Sequence, residues 1–439
     1  MSNVASLRET IAFLRDPAAF MAGQGLERGD LYRVRIPGRR LYVVTDPDTV
    51  ERILVSESAS FSKSRVYWRE LRRSVGDCMG SLDGERWEYL HRLQRPFFTP
   101  KAVQGHLAAV ERLTTLQLRT LAEHLDEAGE VSVLDVFSEL NARIVLSVLF
   151  EDDDAPAAPE IARRIADGHA ILAWRTKFPW RPLLGRFTAI DRRGEEHKRF
   201  FGAYADRLRR SAAPSDASTL LRALRRAAND ATAPPLPEML LRNELTFHLG
   251  ASTETQAAVE GWTVYLLSRH PDVLERVRCE ISRAAGEAVV SFEHLPRLHY
   301  ARQVLQEALR LYPPVHAVVR DCATPVELKG HSARKGEVFL ISLYGLHRSP
   351  RLWDDPSAFR PERFRPDGAR AIGKYQYLPF GAGKHACIGQ HLSLPCMLLA
   401  VAQFVQRFEW TFRNLDVRPV ALPSLKPGGA FTITLTRRL

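Results

Sequence analysis

The chain has 439 residues, of which 45% are hydrophobic and 26% are charged. This composition predicts a folded globular protein with a large core and excludes an intrinsically disordered chain. Lysine and arginine outnumber aspartate and glutamate by 62 to 51, which gives a net charge of +11. The basic residues are scattered and no nucleic-acid-binding motif accompanies them, so we expect no nucleic-acid partner. A solvated basic surface is the simplest interpretation, and an acidic protein partner is the functional one.

Cysteine usage and the N-terminal residues both bear on the cellular compartment. The chain contains an odd number of cysteines without paired spacing: Cys78, Cys279, Cys322, Cys387 and Cys396. This pattern predicts a reducing compartment, and therefore a cytoplasmic protein. Residues 1–30 contain no apolar stretch of the length that a membrane span or a signal peptide needs. We therefore expect a protein without a membrane span.

The first sixty residues combine short helices with strands. Residues 6–21 predict an amphipathic helix that is interrupted at an Asp-Pro pair. Polar and apolar residues alternate over 31–36, a Pro-Gly turn follows, and residues 41–45 are again apolar, which predicts a β-hairpin. A second Asp-Pro pair then opens a helix that runs to Leu54. We expect a β-rich N-terminal part over about residues 30–60.

The next part of the chain is predicted to be mainly helical. Residues 62–82 have mixed polarity without a clear period, which indicates a loop able to border a pocket. A helix that contains Trp87 follows, and a Pro-Phe-Phe sequence ends it. Residues 107–150 carry a helical pattern throughout. Helical segments resume at Ile161 and are broken by two prolines within residues 178–182.

Residues 238–268 predict a helix of about thirty residues, which is long for a globular protein. Its middle carries Gly250 and a run of hydroxyl residues, which weaken a buried helix by competing for its carbonyl groups. A widened groove that holds dioxygen and water would give such a defect a function. Glu254 and Thr255 stand there as an acid followed by an alcohol, a pair that can relay protons. The plain alternative is an ion pair of Glu254 on the helix surface.

Two further patterns lie between this helix and the C-terminus. Glu307 and Arg310 lie three positions apart on one face of a predicted helix, a spacing that also arises by chance. A diproline ends that helix, and the sequence Pro-Glu-Arg-Phe that contains Arg363 follows later. Arg320 lies in a predicted strand after the diproline, where a surface position is the simplest interpretation.

Residues 379–389 read Pro-Phe-Gly-Ala-Gly-Lys-His-Ala-Cys-Ile-Gly. The small residues let this loop turn tightly and lie close to a flat partner, while Phe380 can cover a sulfur and His385 can reach an anion. Cys387 precedes an apolar run that predicts a helix, and a helix N-terminus favours the thiolate. Since no second Cys or His stands at zinc spacing, the thiolate suits an axial ligand of haem iron. A buried structural cysteine is the plain alternative.

The pattern Phe-x-x-Gly-x-His-x-Cys-x-Gly resembles the haem-binding loop of the cytochrome P-450 family of haem-thiolate oxygenases. The similarity extends from about residue 30 to residue 439 and includes the acid–alcohol pair and the Glu-x-x-Arg pattern. It implies a mainly α fold with a smaller β-rich region, formed by residues 1–439 as a single domain. Length alone would allow two or three domains. The resemblance also implies heme b (iron protoporphyrin IX) as the cofactor.

The resemblance gives a role to each candidate residue. Cys387 would bind the iron and donate electron density that promotes cleavage of the O–O bond. Glu254 and Thr255 would deliver protons. Glu307, Arg310 and Arg363 would form a buried structural cluster. The other residues expected at the cofactor are Trp87, His91, Arg92, Arg320, Phe380 and His385.

The sequence departs from the family pattern in several places. Family members place a basic residue four positions after the tryptophan, near the haem propionates. Here that position is His91 and the arginine follows at 92, so that either could serve. Ser252 and Gln256 replace a usual glycine and a usual hydroxyl residue. Pro395 falls inside the helix after the cysteine loop, where it should kink the helix or delay its start.

The implied function is a monooxygenase that inserts one oxygen atom from O2 into an apolar small molecule, such as a terpenoid or a polyketide. Electrons would come from a separate ferredoxin and its NAD(P)H-dependent reductase, and we expect a monomer. Alternatives are a peroxide-using or rearranging member of the family and a non-catalytic haem-binding sensor. The acid–alcohol pair argues against all three. The resemblance places Ile171, Leu172, Trp174, Phe178 and Trp180 at the substrate entrance, while ordinary packing between helices is the favoured alternative for any single one of them.

Overall fold

The computed structural model describes residues 2–36, 38–125, 130–153, 157–177, 188–211, 219–229, 239–421 and 423–438. The helices of these residues are α1 (Ser2–Arg15), α2 (Pro17–Arg28), α3 (Pro47–Glu51), α4 (Arg65–Val75), α5 (Gly84–Gln94), α6 (Pro100–Gln104), α7 (Leu107–Glu123), α8 (Val133–Phe150), α9 (Ala157–Lys177), α10 (Ala189–Ser211), α11 (Leu220–Asn229), α12 (Leu240–Arg269), α13 (Pro271–Ala285), α14 (His299–Leu311), α15 (Leu343–Leu346), α16 (Pro366–Ala371) and α17 (Gln390–Arg407). The strands are β1 (Leu31–Ile36), β2 (Arg39–Val44), β3 (Phe61–Lys63), β4 (Glu130–Ser132), β5 (Ala317–Cys322), β6 (Val326–Leu328), β7 (His331–Ala333), β8 (Val338–Ser342), β9 (Phe408–Phe412), β10 (Pro419–Ala421), β11 (Leu425–Pro427) and β12 (Thr432–Arg437).

The chain divides into two compact units, each built from several stretches of sequence. The β-rich unit contains Met1–Tyr67, Arg302–Ile388 and Arg418–Gly428. The helical unit contains Trp68–Ala301, Gly389–Val417 and Gly429–Leu439. The mainly α fold with a smaller β-rich part, expected from the sequence, is therefore confirmed.

The β-rich unit is organised around a five-stranded sheet with the order β1-β2-β8-β5-β3. β1 and β2 form the predicted antiparallel hairpin, and β2 continues the sheet by pairing in parallel with β8. Alternate side chains of the hairpin turn inward, so that Val34 and Val43 are fully buried. This sheet carries Arg320 on β5, next to β8.

The helical unit is organised around α12, a helix of 30 residues. Side chains on all sides of this helix are buried, as expected for a helix enclosed by its neighbours. Helices α8, α9, α10 and α17 pack against it. A three-stranded antiparallel sheet with the order β4-β12-β9 completes the unit.

Two segments differ from the sequence expectation. Residues 62–82 are not a loop throughout, since they contain the end of β3 and all of α4. Arginine, glutamate and leucine in α4 are good helix formers, but its wide polar face hides the apolar period. Residues 107–150 are not continuous helix, because β4 precedes α8 and pairs with β12 from the far end of the chain.

Pro395 lies inside α17, which begins at Gln390 and continues to Arg407. The proline therefore does not delay the start of the helix. The predicted break at residues 178–182 lies outside the described residues.

Candidate active site

The loop that carries Cys387 has a defined backbone. The amide of Cys387 donates to the carbonyl of Phe380 at 2.8 Å, which closes the loop across its small residues. Gly381 and Gly383 both have a φ of +71°, in the left-handed region that favours glycine. A Cβ atom at Gly383 would lie 1.9 Å from the carbonyl oxygen of Leu54, so no side chain fits there. The glycines are therefore required by the geometry of the loop.

Cys387 is exposed at the end of this loop. Gly389 is the N-cap residue of α17, so Cys387 precedes the first turn of that helix. A helix N-terminus favours an anion, and hence the thiolate, over a neutral thiol. Both the exposure and the position fit a cysteine that binds a metal-containing cofactor.

The other four cysteines fit that role less well. Burial raises the pKa of Cys78 to about 12 and also raises the pKa of Cys322 and of Cys396. Buried thiols of this kind resist ionisation. Cys279 is exposed, but it lies within α13 and not before a helix, and its sulfur lies 3.6 Å from a carboxylate oxygen of Glu275. The plain alternative for Cys387, a buried structural cysteine, is wrong.

Three other predicted cofactor residues lie in the same unit as Cys387. Arg320 is only 6% exposed, and its Nη1 donates to the carbonyl of Val319 at 3.0 Å. The simple interpretation of Arg320 as a surface residue of the strand is therefore wrong. Phe380 and His385 are half-buried within the loop. A buried guanidinium is costly unless it meets an acceptor, which fits a residue that would bind an anionic group such as a propionate.

The Glu307, Arg310 and Arg363 cluster forms as the sequence predicted. Arg310 donates from Nε and Nη2 to the two carboxylate oxygens of Glu307, each at 2.7 Å. Both residues are fully buried. Nε of Arg363 donates to Oε1 of Glu307 at 3.3 Å. The carboxylate of Glu307 thus offsets the positive charges of both Arg310 and Arg363.

Arg310 also binds backbone carbonyl groups on a long stretch of chain. Its Nη1 donates to the carbonyls of His347 and Pro356 at 2.8 Å, and its Nη2 donates to that of Ala358 at 3.0 Å. The amide of Arg360 donates to Glu307 at 2.9 Å. The cluster thereby fixes an irregular segment that has few backbone hydrogen bonds of its own, in agreement with the structural role expected for it.

The helical unit contains the remaining predicted cofactor residues. Trp87 on α5 is 6% exposed and stacks on His91, with ring centroids 4.7 Å apart. Arg92 is exposed. Residues four apart share a helix face, so His91, and not Arg92, lies beside Trp87. Burial, together with the charge of Arg95, lowers the pKa of His91.

Glu254 and Thr255 lie at the middle of α12. Glu254 is 7% exposed, and the hydroxyl of Thr255 donates to the carbonyl of Ala251 one turn earlier. The helix runs through these residues without interruption, so the widened groove expected from the sequence does not break it. The Thr255 hydroxyl thus competes for a backbone carbonyl, as the hydroxyls of Thr246 and Thr263 do elsewhere on α12.

His169 on α9 is a site residue that the sequence did not reveal. Its Nδ1 contacts Oε2 of Glu254, and its Nε2 lies 3.5 Å from the position that a Cβ of Gly250 would take. Because Glu254 is buried, the alternative of an ion pair on the helix surface is wrong. A lone histidine within a helix gives no sequence signal for such a contact. The small residue at 250, one turn before Glu254, is the only available hint that another side chain packs there.

The structure describes three of the five residues predicted at the substrate entrance. Ile171 and Leu172 on α9 are 2% and 4% exposed, so they belong to the core of the helical unit. Trp174 is half-buried. Phe178 and Trp180 lie outside the described residues.

A second acid on α12, Glu260, is fully buried. Its Oε2 accepts from Nδ2 of Asn141 at 2.7 Å, while its Oε1 has no hydrogen-bond partner among the described residues. Burial raises the pKa of Glu260 to about 8, against an ordinary value of 4.5. The carboxyl group is therefore neutral in the folded protein at pH 7 and ionised in the unfolded chain.

We expect Glu260→Gln to change the pH dependence of stability. Between pH 4.5 and about 8 the folded wild type binds one proton more at Glu260 than the unfolded chain does. Its free energy of unfolding should therefore fall by about 1.4 kcal/mol per pH unit relative to the variant, which is neutral in both states. Urea unfolding at pH 5.5, 6.5 and 7.5 measures the difference. Parallel curves for the two proteins would show that Glu260 is ionised in the folded state.

No helix within the described residues is long and apolar enough to cross a membrane.

Comparison with known proteins identifies the family. A family model described as Cytochrome P-450 matches residues 20–431. The chain is 31% identical over 419 residues to a cyclooctat-9-en-7-ol 5-monooxygenase of Streptomyces melanosporofaciens, covering 94% of this chain and 88% of that relative. It is 27% identical to a cyclooctatin synthase of the same organism, covering 94% of this chain and 90% of the relative. A cytochrome P-450 3A16 of Mus musculus is 26% identical over 84% of this chain and 77% of its own length. The chain belongs to the cytochrome P-450 family.

Membership of the cytochrome P-450 family gives the chain a haem iron cofactor and a monooxygenase reaction that uses O2 and redox partners. The chemistry of the residues present fits this cofactor. Cys387 is exposed and lies outside a helix, where it would supply a thiolate just before the N-terminus of α17, and its loop is free of bulky side chains over residues 381–383. A flat macrocycle can approach such a loop closely.

Proposed function

We propose that this cytochrome P-450 monooxygenase binds heme b through Cys387 and oxidises an apolar secondary metabolite, such as a terpenoid or a polyketide. The exposed position of Cys387 on a glycine-shaped loop is the observation that carries the proposal. The relative that acts on cyclooctat-9-en-7-ol, as its name states, supports an alicyclic substrate. The cytoplasm is the compartment that the cysteine usage favours.

When bound, the haem supplies the activation of dioxygen. The chain's own residues would hold the cofactor and manage protons. Arg320 and His385 would donate to the propionates from the unit that carries Cys387. His91, which lies beside Trp87, is the further residue to which the resemblance gives this role. Because a buried carboxylate gains from charge-assisted donors, these contacts would fix the orientation of the macrocycle.

Glu254 and Thr255 would supply protons to dioxygen from the chain. His169 contacts the carboxylate of Glu254, so we assign His169 a positioning role. The Thr255 hydroxyl donates to the Ala251 carbonyl, which leaves its oxygen lone pairs able to accept from a donor such as water. Adjacent positions of a helix point about 100° apart, so the carboxyl group and the hydroxyl group would act on a proton through such a bridging donor and not by direct contact.

The proposal is tested by the reduced, carbon-monoxide-bound absorption spectrum. We expect the red-shifted Soret band of a thiolate-ligated haem, with non-covalent heme b released by acid extraction. Lipophilic ligands should be screened by spectral shift, and the hits assayed with a ferredoxin, its reductase and NAD(P)H. Product that forms only with hydrogen peroxide would favour a peroxide-using member of the family. Normal ligation without product from any electron donor would favour a sensor.

We expect Glu254→Gln to lower product formation about 100-fold, because the amide cannot exchange a proton as the carboxyl group does. NAD(P)H consumption should fall less, so that the product formed per NAD(P)H also decreases. Product and NAD(P)H are measured in the same reaction. Glu260→Gln, which replaces another buried acid on α12 by its amide, is the matched control and should retain wild-type coupling. Equal coupling in the Glu254 variant would exclude a role in proton delivery.

A further inference from the structure

An open cavity of about 490 Å³ lies at the surface of the helical unit, and its lining includes none of the residues assigned above to the cofactor or to proton delivery. Helices α4, α9, α10 and the start of α12 supply its walls. Its charged lining residues are five cations and one acid: Arg72, Arg73, Arg175, Lys198, Arg242 and Glu195. Cavities of this volume hold small organic molecules. This excess of positive charge favours the binding of an anionic ligand.

Arg175 is the most buried cation of this cavity, with 5% of its surface exposed. Its Nη2 lies 3.2 Å from Oδ1 of Asp191, and its Nη1 lies 3.4 Å from Oγ of Ser74. Its Nε has no hydrogen-bond partner among the described residues. A Cβ at Gly194 would lie 2.7 Å from Nη2, so the glycine leaves the room that this guanidinium occupies. Asp191 offsets part of the charge of this guanidinium, and an anion in the cavity would add to that compensation.

Arg242 is a second cation of this cavity, and its hydrogen bonds go to an amide oxygen and not to a carboxylate. Its Nε and Nη2 both donate to the amide oxygen of Asn243, at 3.1 and 2.9 Å, and it forms no ion pair with the described residues. Burial lowers the pKa of Arg242, and the charge of Glu195 opposes that change. A neutral amide oxygen compensates a guanidinium only in part, so a negative charge beside Arg242 would be strongly favoured.

The carboxylates around the cavity do not offset its cations. Glu195 pairs with Lys198 at 2.9 Å. Two other carboxylates are each shared by two arginines, since Asp77 contacts Arg72 and Arg86, and Glu70 contacts Arg69 and Arg73. The surroundings therefore keep a net positive charge, which concentrates anions at the cavity.

We propose that this cavity binds a small organic molecule through an oxyanion, a carboxylate or a phosphate, held by Arg242 and Arg175. Bidentate donation to two oxygens is the contact that guanidinium groups make best. Val75 and Met239 also line the cavity and give an apolar contact for the rest of the ligand. The volume exceeds what one inorganic anion fills, which favours an organic ligand over free phosphate. The inference stands independently of the substrate class proposed above.

Calorimetric titration of the haem-loaded protein at low ionic strength tests this site. The probes are octanoate, its neutral counterpart 1-octanol, and inorganic phosphate. We expect octanoate to bind at least tenfold more tightly than octanol, and Arg242→Gln to weaken octanoate about tenfold while leaving octanol unchanged. Phosphate should bind more weakly than octanoate and compete with it.

Arg269→Gln is the matched control, because it makes the same change at the other end of the same helix, and it should bind octanoate as the wild type does. Arg72→Gln is a second test variant on an exposed side chain and should weaken octanoate in the same direction. Equal affinity for octanoate and octanol, or an equal loss for both in the Arg242 variant, would overturn the proposal. Binding of phosphate without binding of octanoate would also overturn the proposal. Because the readout is calorimetric, these outcomes do not depend on whether the haem reaction proceeds as proposed.

Discussion

Cys387→Ser should abolish monooxygenase turnover and remove the red-shifted Soret band of the reduced, carbon-monoxide-bound protein. A serine hydroxyl does not ionise near neutral pH, so it cannot replace the thiolate that the loop presents before α17. Because Cys387 is exposed, the free energy of unfolding of the cofactor-free protein should change by less than about 0.5 kcal/mol. Absorption spectra, haem content and urea unfolding measure the three effects separately.

The control for this experiment is Cys279→Ser. Cys279 is also exposed, but it lies on α13 beside a carboxylate. The control should keep the wild-type spectrum and turnover. A normal Soret band in the Cys387 variant, or its loss in the Cys279 variant, would refute the assignment of Cys387 as the iron ligand.

Glu307→Gln should destabilise the protein by about 3–5 kcal/mol. The substitution preserves the shape of the side chain but leaves the fully buried guanidinium of Arg310 without a compensating charge, beside the second guanidinium of Arg363. Hydrogen bonds from Arg310 to three carbonyls cannot make up for a missing carboxylate, since they were already present. The free energy of unfolding in urea gives the size of the effect.

The matched control is Asp354→Asn in the same unit. Its carboxylate pairs with Arg360 at 3.1 Å, but the Asp354 side chain is 89% exposed. Exposed pairs contribute less than about 1 kcal/mol, so this variant should unfold close to the wild type. Similar losses of unfolding free energy in the two variants would mean that burial does not determine how much the Glu307 cluster contributes to stability.

The sequence was informative wherever a residue's role follows from its neighbours along the chain. The β1–β2 hairpin, the thirty-residue α12 and the pairing of Glu307 with Arg310 all depend on periodicity or on residues one helical turn apart. The loop that carries Cys387 is likewise a continuous stretch. Its glycines could be predicted because a close approach and a positive φ need them.

Features that depend on distant segments could not be predicted in this way. β4 exists because β12 pairs with it, and the contact of His169 with Glu254 needs α9 to pack on α12. The charge excess of the cavity is also invisible in the sequence, where Arg175 and Arg242 are scattered among many other arginines. For Pro395 the local rule allowed a kink or a delayed start, and α17 begins at Gln390, before the proline, so the start is not delayed.

The close approach of Gly383 to the carbonyl of Leu54 has a consequence for biosynthesis. The cysteine loop takes its shape against a segment that leaves the ribosome several hundred residues before the loop itself does. At about 5–20 residues per second, that interval lasts roughly 20–60 s. The proposed ligation through Cys387 would therefore become possible only late in synthesis, once the loop can pack against Leu54.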